Sequence, residues 1–325
     1  MKWNIKMMIL LMMLSTIMVL SSTNWMSMWI GMEINMISFV PIMKMNNKES
    51  SSSTMIYFMA QSMGSSLFLY SLLSMWFQSP SSHSSSMMVM MMASMMIKLG
   101  VPPMHMWMII VMNNLSWMVC FILMGWQKIA PLTVMSKITN MVNETFMIAM
   151  MATIIGSIGG INQTSIRKIM GYSSVSHTGW MLALSNNNMK WIIYLTLYSM
   201  TNLILCYMLH SENIFYLNQL NLMKPINKMS FIINVLSMGG LPPMLGFLPK
   251  WMAIQTLINM NLIMVATIMI MTSLLTLMFY LTMITPMMSL SMITNKITLI
   301  QENNYTLMMI IPMTMPLALT LNILV

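Results

Sequence analysis

Charge is what this 325-residue sequence has least of: 6% of its residues are charged. A soluble domain usually carries about 25%, so the chain cannot furnish a water-facing surface. Cysteine is nearly missing too. Cys120 and Cys206 stand alone, with no CxxC and no Cys/His cluster, which excludes an iron–sulfur centre, a zinc site and a disulfide framework. There is no dinucleotide fingerprint and no phosphate loop. The net charge of +9 comes from basic residues scattered singly, without a basic run or an acidic tail, so nucleic acid is not implied. His83, His105, His177 and His210 do not pair as axial ligands across a helix bundle, which argues against a haem protein.

What is present is apolar. Hydrophobic residues make up 58% of the chain and the mean hydropathy is +0.77. That length would make about two soluble domains; in lipid it makes a bundle, at roughly 20 apolar residues per span. Lys2 and Lys6 precede an apolar stretch that continues without a small-residue cleavage site, which reads as a first span. The 57 methionines, and the serine clusters at Ser50–Ser53 and around Ser81–Ser86, read as coding bias and packing filler.

Apolar runs of membrane length predict eleven helices: Ile5–Ser22, Asn24–Met43, Thr54–Phe77, Met87–Met112, Leu115–Ser136, Thr145–Gln163, Ile169–Ser185, Trp191–His210, Met229–Trp251, Leu257–Thr285 and Tyr305–Leu324. Short connections rich in Asn, Ser and Lys leave no separate soluble domain. The expected fold is an all-α polytopic membrane protein with one domain, 1–325. If the spans alternate, Lys2, Lys6, Lys44, Lys48, Arg167, Lys168, Lys224, Lys228 and Lys296 share one side, and only Lys137 and Lys190 the other. That asymmetry puts the N-terminus inside and the C-terminus outside.

Lys98, Lys128 and Lys250 fall within spans, as does Glu33. A charge at the bilayer centre costs roughly 2.5–3.5 kcal/mol on insertion scales, so such groups face the bundle interior and mark ion or proton paths. Blander readings stand beside this one: a structural Glu33–Lys98 ion pair, a Lys250 that snorkels to the interface, and a His177 that merely packs. Glu33 and Lys98 are expected within about 4–6 Å, or bridged by water. His177 lies among hydroxyls and titrates near neutrality when unperturbed.

Two spans carry proline pairs, Gly100-Val101-Pro102-Pro103 and Gly240-Leu241-Pro242-Pro243. Proline interrupts a helix, and free carbonyls at membrane depth need protein or a watery cavity. These are the fourth and ninth spans, which cross in opposite directions. That is the pattern of inverted five-helix repeats, approximately 1–136 and 145–285, with an extra helix at 305–324.

The stretches Gly31–Pro41, Trp126-Gln127-Lys128-Ile129-Ala130-Pro131, Gly159–Trp180 and Gly239–Trp251 resemble the subunit-2 family of mitochondrial NADH dehydrogenase, an antiporter-like family of respiratory complex I, in its invertebrate form. The resemblance implies a fourteen-helix fold that lacks its first three helices in animals, with the inside at the matrix. It implies a core membrane-arm, proton-translocating subunit of NADH:ubiquinone oxidoreductase in the mitochondrial inner membrane. Its partners would be other membrane-arm subunits and lipids. No cofactor would be bound here: NADH, FMN, Fe–S clusters and ubiquinone belong elsewhere in the complex. The family's buried glutamate matches Glu33, and its lysines match Lys98, Lys128 and Lys250; with His177 these form the expected proton relay. One departure concerns the helix after His105 and Trp107, where the family usually has a proline and then an acidic residue. Ile109 and Ile110 follow here, with Asn113 beyond, so a straighter helix is expected. A stand-alone cation/proton antiporter would use the same fold, and a membrane scaffold would not need buried lysines.

Overall fold

The computed structural model describes residues 2–44, 49–77, 84–139, 145–186, 190–223 and 225–289. Thirteen α-helices follow in order: α1 (Lys2–Ser21), α2 (Trp25–Met43), α3 (Glu49–Phe77), α4 (Ser84–Leu99), α5 (Met106–Asn114), α6 (Trp117–Met124), α7 (Ile129–Thr139), α8 (Thr145–Gly160), α9 (Ile166–Leu184), α10 (Lys190–Ser211), α11 (Pro225–Gly239), α12 (Phe247–Asn259) and α13 (Ile263–Ser289). Among the described residues the only β pairing is one isolated bridge, Ser165 to Tyr216. The expected helix over 305–324 lies outside the described residues.

Four described stretches are long and apolar enough to cross a membrane: Trp25–Met43, Trp117–Thr139, Lys190–Ser211 and Ile263–Met288. Shorter apolar helices run over Ile5–Ser21, Ser86–Leu99 and Thr145–Gly160. Helix α9 falls short on hydropathy for a physical reason. Every residue from Ile169 to Leu184 is buried, so the helix meets protein on all sides and can carry serines, a threonine and a histidine. The outer helices do the reverse. Leu10, Leu14 and Ile17 on α1, and Met264, Met271 and Met278 on α13, are exposed. Apolar surface on this scale is explained by lipid.

Expected boundaries shift in three places. The run Met87–Met112 divides into α4 and α5. Leu115–Ser136 divides into α6 and α7 around a 3₁₀ turn, Trp126–Lys128. Pro131 explains that turn, since it offers no N–H to the Gln127 carbonyl and its ring crowds the same group. The expected end at Trp251 is wrong: α12 runs on to Asn259, and the reversal comes at Asn261, whose φ is 60°.

Both proline pairs follow the same helix ending. Gly100 has φ 66° and Gly240 φ 78°, a region glycine enters without a Cβ penalty. The Gly100 N–H donates to Ile97 O at 3.2 Å and Val101 N–H to Met96 O at 3.0 Å; Gly240 N–H donates to Ser237 O at 3.0 Å and Leu241 N–H to Leu236 O at 3.5 Å. This paired bonding is a Schellman cap. Glycine therefore ends each helix, and the prolines that follow prevent its resumption. The Lys98 carbonyl accepts from Gln61 Nε2 at 3.1 Å, and Ile97 O takes a second bond, from Trp107 Nε1 at 3.0 Å.

Helix α8 lies against α9, α1 against α2, α3 against α4, and α13 along α8. Lipid offers little hydrophobic drive between helices, so close packing and interhelical hydrogen bonds hold them. At the α8–α9 contact a Cβ on Gly156 would stand 2.7 Å from the Ser176 backbone nitrogen. Two basic residues have structural work in the same frame. Lys137 Nζ donates to Ser22 O at 2.7 Å, and Arg167 Nη1 to Leu115 O at 2.8 Å, each tying down carbonyls at a helix C-terminus.

Candidate functional site

The helix endings and the 3₁₀ turn decide where the in-span charges go. Lys98 is in the last turn of α4 and is 7% exposed. Its stem passes over Gly64 of α3, where an added Cβ would lie 2.9 Å from Lys98 Cγ. Lys128 closes the 3₁₀ turn and is 3% exposed. At about three residues per turn, successive side chains fan apart, so Gln127 is directed to α2 and α3 while Lys128 is directed to α9. Lys128 Nζ donates to the Ser174 carbonyl at 2.9 Å and lies 5.7 Å from the ring centre of Tyr198. The aromatic face favours the ammonium charge.

His177 is one helical turn from Ser174 on α9. Its Nδ1 is 2.8 Å from the Tyr194 hydroxyl, and its ring centre is 4.7 Å from that of Tyr198. Both lysines, Lys128 and Lys250, act on it through space. Lys250, in the first turn of α12, is buried at 6% exposure and does not snorkel. Its Nζ donates to Gly239 O at 2.7 Å. The ammonium thus sits on the carboxyl end of α11, where the helix dipole favours a cation.

Glu33 is half-buried in α2. No ion pair within 4.0 Å joins it to Lys98, although its charge acts on Lys98 and on Tyr57 through space. Neutral polar groups fill the region between these elements. Gln127 Nε2 donates to Asn35 Oδ1 at 3.2 Å and to Met12 Sδ at 3.4 Å, and Tyr57 Oη donates to Gln127 Oε1 at 3.4 Å. A cavity of about 20 Å³ is bordered by both Lys98 and Lys128. A second, of about 10 Å³, reaches Asn35 and the α2 face beside Glu33.

The geometry therefore joins Lys98 to Lys128 at one cavity, Lys128 to His177 through Ser174 and Tyr198, and His177 to Lys250 by charge. Glu33 approaches the group at its edge. Asn35, Tyr57, Gln61, Gln127, Tyr194 and Tyr198 complete the polar core, and sequence reasoning missed them. A faint signal existed: Tyr194, Tyr198 and Asn202 repeat at four-residue spacing on α10, which places them on one face. Near the departure noted after Trp107, α5 is one uninterrupted helix, Met106–Asn114, with Ile109 buried and Ile110 exposed. Among the described residues no group of His, Cys, Asp or Glu could hold a metal ion.

Residues 22–276 match the family model described as NADH:quinone oxidoreductase/Mrp antiporter, TM. Over 277 residues the chain is 40% identical to NADH-ubiquinone oxidoreductase chain 2 of Anopheles gambiae, covering 82% of this chain and 81% of that one. It is 38% identical to the chain of the same name from Lumbricus terrestris over 255 residues, 76% of each. Among solved structures it resembles a chain of respiratory complex I from Thermus thermophilus, with TM-score 0.80 and 18% identity over 87% of this chain and 70% of that chain. A chain of the Mrp complex from Dietzia sp. DQ12-45-1b gives TM-score 0.78 and 17% identity over 86% of this chain and 59% of that chain. At such identities the structural likeness is one of fold.

Proposed function

Since the chain belongs to the NADH:quinone oxidoreductase/Mrp antiporter membrane family, we propose that it is a core membrane-arm subunit of proton-translocating NADH:ubiquinone oxidoreductase. It moves protons through Glu33, Lys98, Lys128, His177 and Lys250. The observation that carries this reading is the set of in-span lysines, Lys98, Lys128 and Lys250, at 7%, 3% and 6% exposure, held by the two helix endings and the 3₁₀ turn; Lys228, also buried at 5%, lies near the start of α11. Two of the in-span lysines bond a neutral backbone carbonyl, so either can lose its proton without stranding a partner charge.

Each lysine can hold or release a proton without leaving its place. In the charged form, Lys128 and Lys250 donate to a carbonyl; in the neutral form, each offers a lone pair to an incoming proton. A charge that arrives at one member disfavours charge on the next, and His177 lies within range of both. NADH, FMN, Fe–S clusters and ubiquinone bind other subunits of the complex. The location is the mitochondrial inner membrane, with eleven spans counting 305–324, N-terminus to the matrix and C-terminus to the intermembrane space. Within this reading, α4 with α5 and α11 with α12 are two broken spans in inverted repeats, 1–136 and 145–285. The chain's partners are other membrane-arm subunits and lipid.

The test is Lys128→Met in the assembled complex, beside Lys190→Met, whose lysine is exposed at the start of α10. Lys128→Met should assemble and lose proton-coupled quinone reduction while Lys190→Met keeps it. Normal pumping by Lys128→Met would make the lysine structural. A stand-alone antiporter would instead exchange cations when purified by itself, whereas this subunit should be inert outside its assembly.

A further inference from the structure

Lys98 ends differently from Lys128 and Lys250. Among the described residues, none accepts a hydrogen bond from its Nζ, and none donates one to Gln61 Oε1, because Gln61 is joined through its Nε2 to the Lys98 carbonyl. Lys98 and Gln61 are 7% and 8% exposed, and both border both cavities. Tyr57 and Gln127 border both as well. Groups this polar and this buried are satisfied by a partner or by water. The larger cavity, about 20 Å³, exceeds the roughly 10–15 Å³ of such volume that one water needs.

Gln127 is the one side chain here with both ends fixed. Its nitrogen is held by Asn35 and Met12, and its oxygen by the Tyr57 hydroxyl. That orientation turns the carbonyl oxygen to Tyr57, which borders both cavities, and leaves it a second lone pair. It also ties the 3₁₀ turn that carries Lys128 to α2, the helix that carries Glu33.

We propose that Gln127 is a positioning residue of the proton path, holding a water between Lys98 and Lys128 in concert with Gln61 and Tyr57. The transfer is balanced without a co-reactant. The Lys98 ammonium gives a proton to the water, and the water gives another to the neutral Lys128 amine. The result is a neutral Lys98, an unchanged water and a Lys128 ammonium. Gln127 exchanges no proton; it fixes the water's position.

The inference rests on the relay reading above, and its test separates the two. Gln127→Met, which keeps length and removes the amide, is compared with Lys128→Met in inner-membrane vesicles containing the whole complex. The readouts are protons moved per NADH oxidised and the amount of assembled complex. Gln127→Met should assemble and lose the protons this subunit contributes. An unchanged proton-to-electron ratio in Gln127→Met, with loss in Lys128→Met, overturns the positioning role and leaves the relay standing; unchanged ratios in both overturn the relay itself. If Gln127→Met does not assemble, a high-resolution map of the wild-type complex decides. Density for a water in contact with Gln127 and either lysine supports the proposal, and a water-free cavity there overturns it.

Discussion

At the scale of single residues, the proposed relay combines neutral groups with charged ones. The Tyr194 hydroxyl fixes His177 at 2.8 Å, and Tyr194 is fully buried, so a truncated partner would leave the ring nitrogen without its bond. Tyr194→Phe is expected to cost about 1–3 kcal/mol at that site, the usual cost of an unsatisfied buried polar group. Proton-coupled turnover should fall while assembly is retained, as read from quinone reduction and pumping in the same vesicles. Lys128→Arg should fail in a second way. Its guanidinium cannot shed its proton, so a permanent cation would sit beside Tyr198 and block the step; preserved pumping would show that only charge is needed there. Glu33, Lys98, Lys128 and Lys250 stood out in the sequence as charges inside apolar runs, and His177 as a titratable ring among hydroxyls. Tyr57, Gln61, Gln127 and Tyr198 were not, since an amide or a phenol can sit in a membrane helix without standing out from its neighbours.

At the scale of elements, the proline pairs announced two helix endings, and the agent turned out to be the glycine before each pair. Gly240 shows why. Its φ of 78° costs a residue with a Cβ roughly 1–2 kcal/mol, and an added Cβ would lie 3.0 Å from Lys250 Cδ and Nζ. Gly240→Ala is therefore expected to lower stability by at least about that amount and to displace the Lys250 ammonium from Gly239 O. Gly171→Ala on α9, whose nearest neighbour would be 3.8 Å away, should leave both unchanged. Thermal unfolding of the detergent-solubilised complex, with pumping measured alongside, checks the pair. The 3₁₀ turn at Trp126–Lys128 was missed because Pro131 lies after the apolar run has resumed, and hydropathy sees no gap there. The continuation of α12 past Trp251 was missed for a related reason: a polar Gln255 and Thr256 lie inside the helix, not at its end.

At the scale of the molecule, positive charge sets the expected orientation. If Lys44 faces the matrix and Lys190 the intermembrane space, a membrane-impermeant amine reagent applied to mitoplasts should modify Lys190 alone. Lys44 should react only once the inner membrane is opened, with both sites read by mass spectrometry. The reverse pattern would invert the topology. Span number was the part least visible in the described helices. Interruption shortens α4 and α11, and burial of Ile169–Leu184 lets α9 be polar, so four described stretches meet the length and hydropathy of a span. The proposed repeat symmetry rests on the paired glycine and proline motifs, which end α4 and α11 in the same way.

Lys98, Lys128 and Lys250 also differ in how quickly each can act. Lys128 and Lys250 each grip a backbone carbonyl, at 2.9 and 2.7 Å, and a hydrogen bond from a charged donor is worth roughly 1.5–3 kcal/mol. Every 1.36 kcal/mol of barrier slows a step about tenfold, so turning either head away takes about ten to a hundred times longer than an unlatched one needs. Among the described residues no carbonyl grips Lys98 Nζ in this way, so in the proposed relay its head turns sooner than the two that are latched.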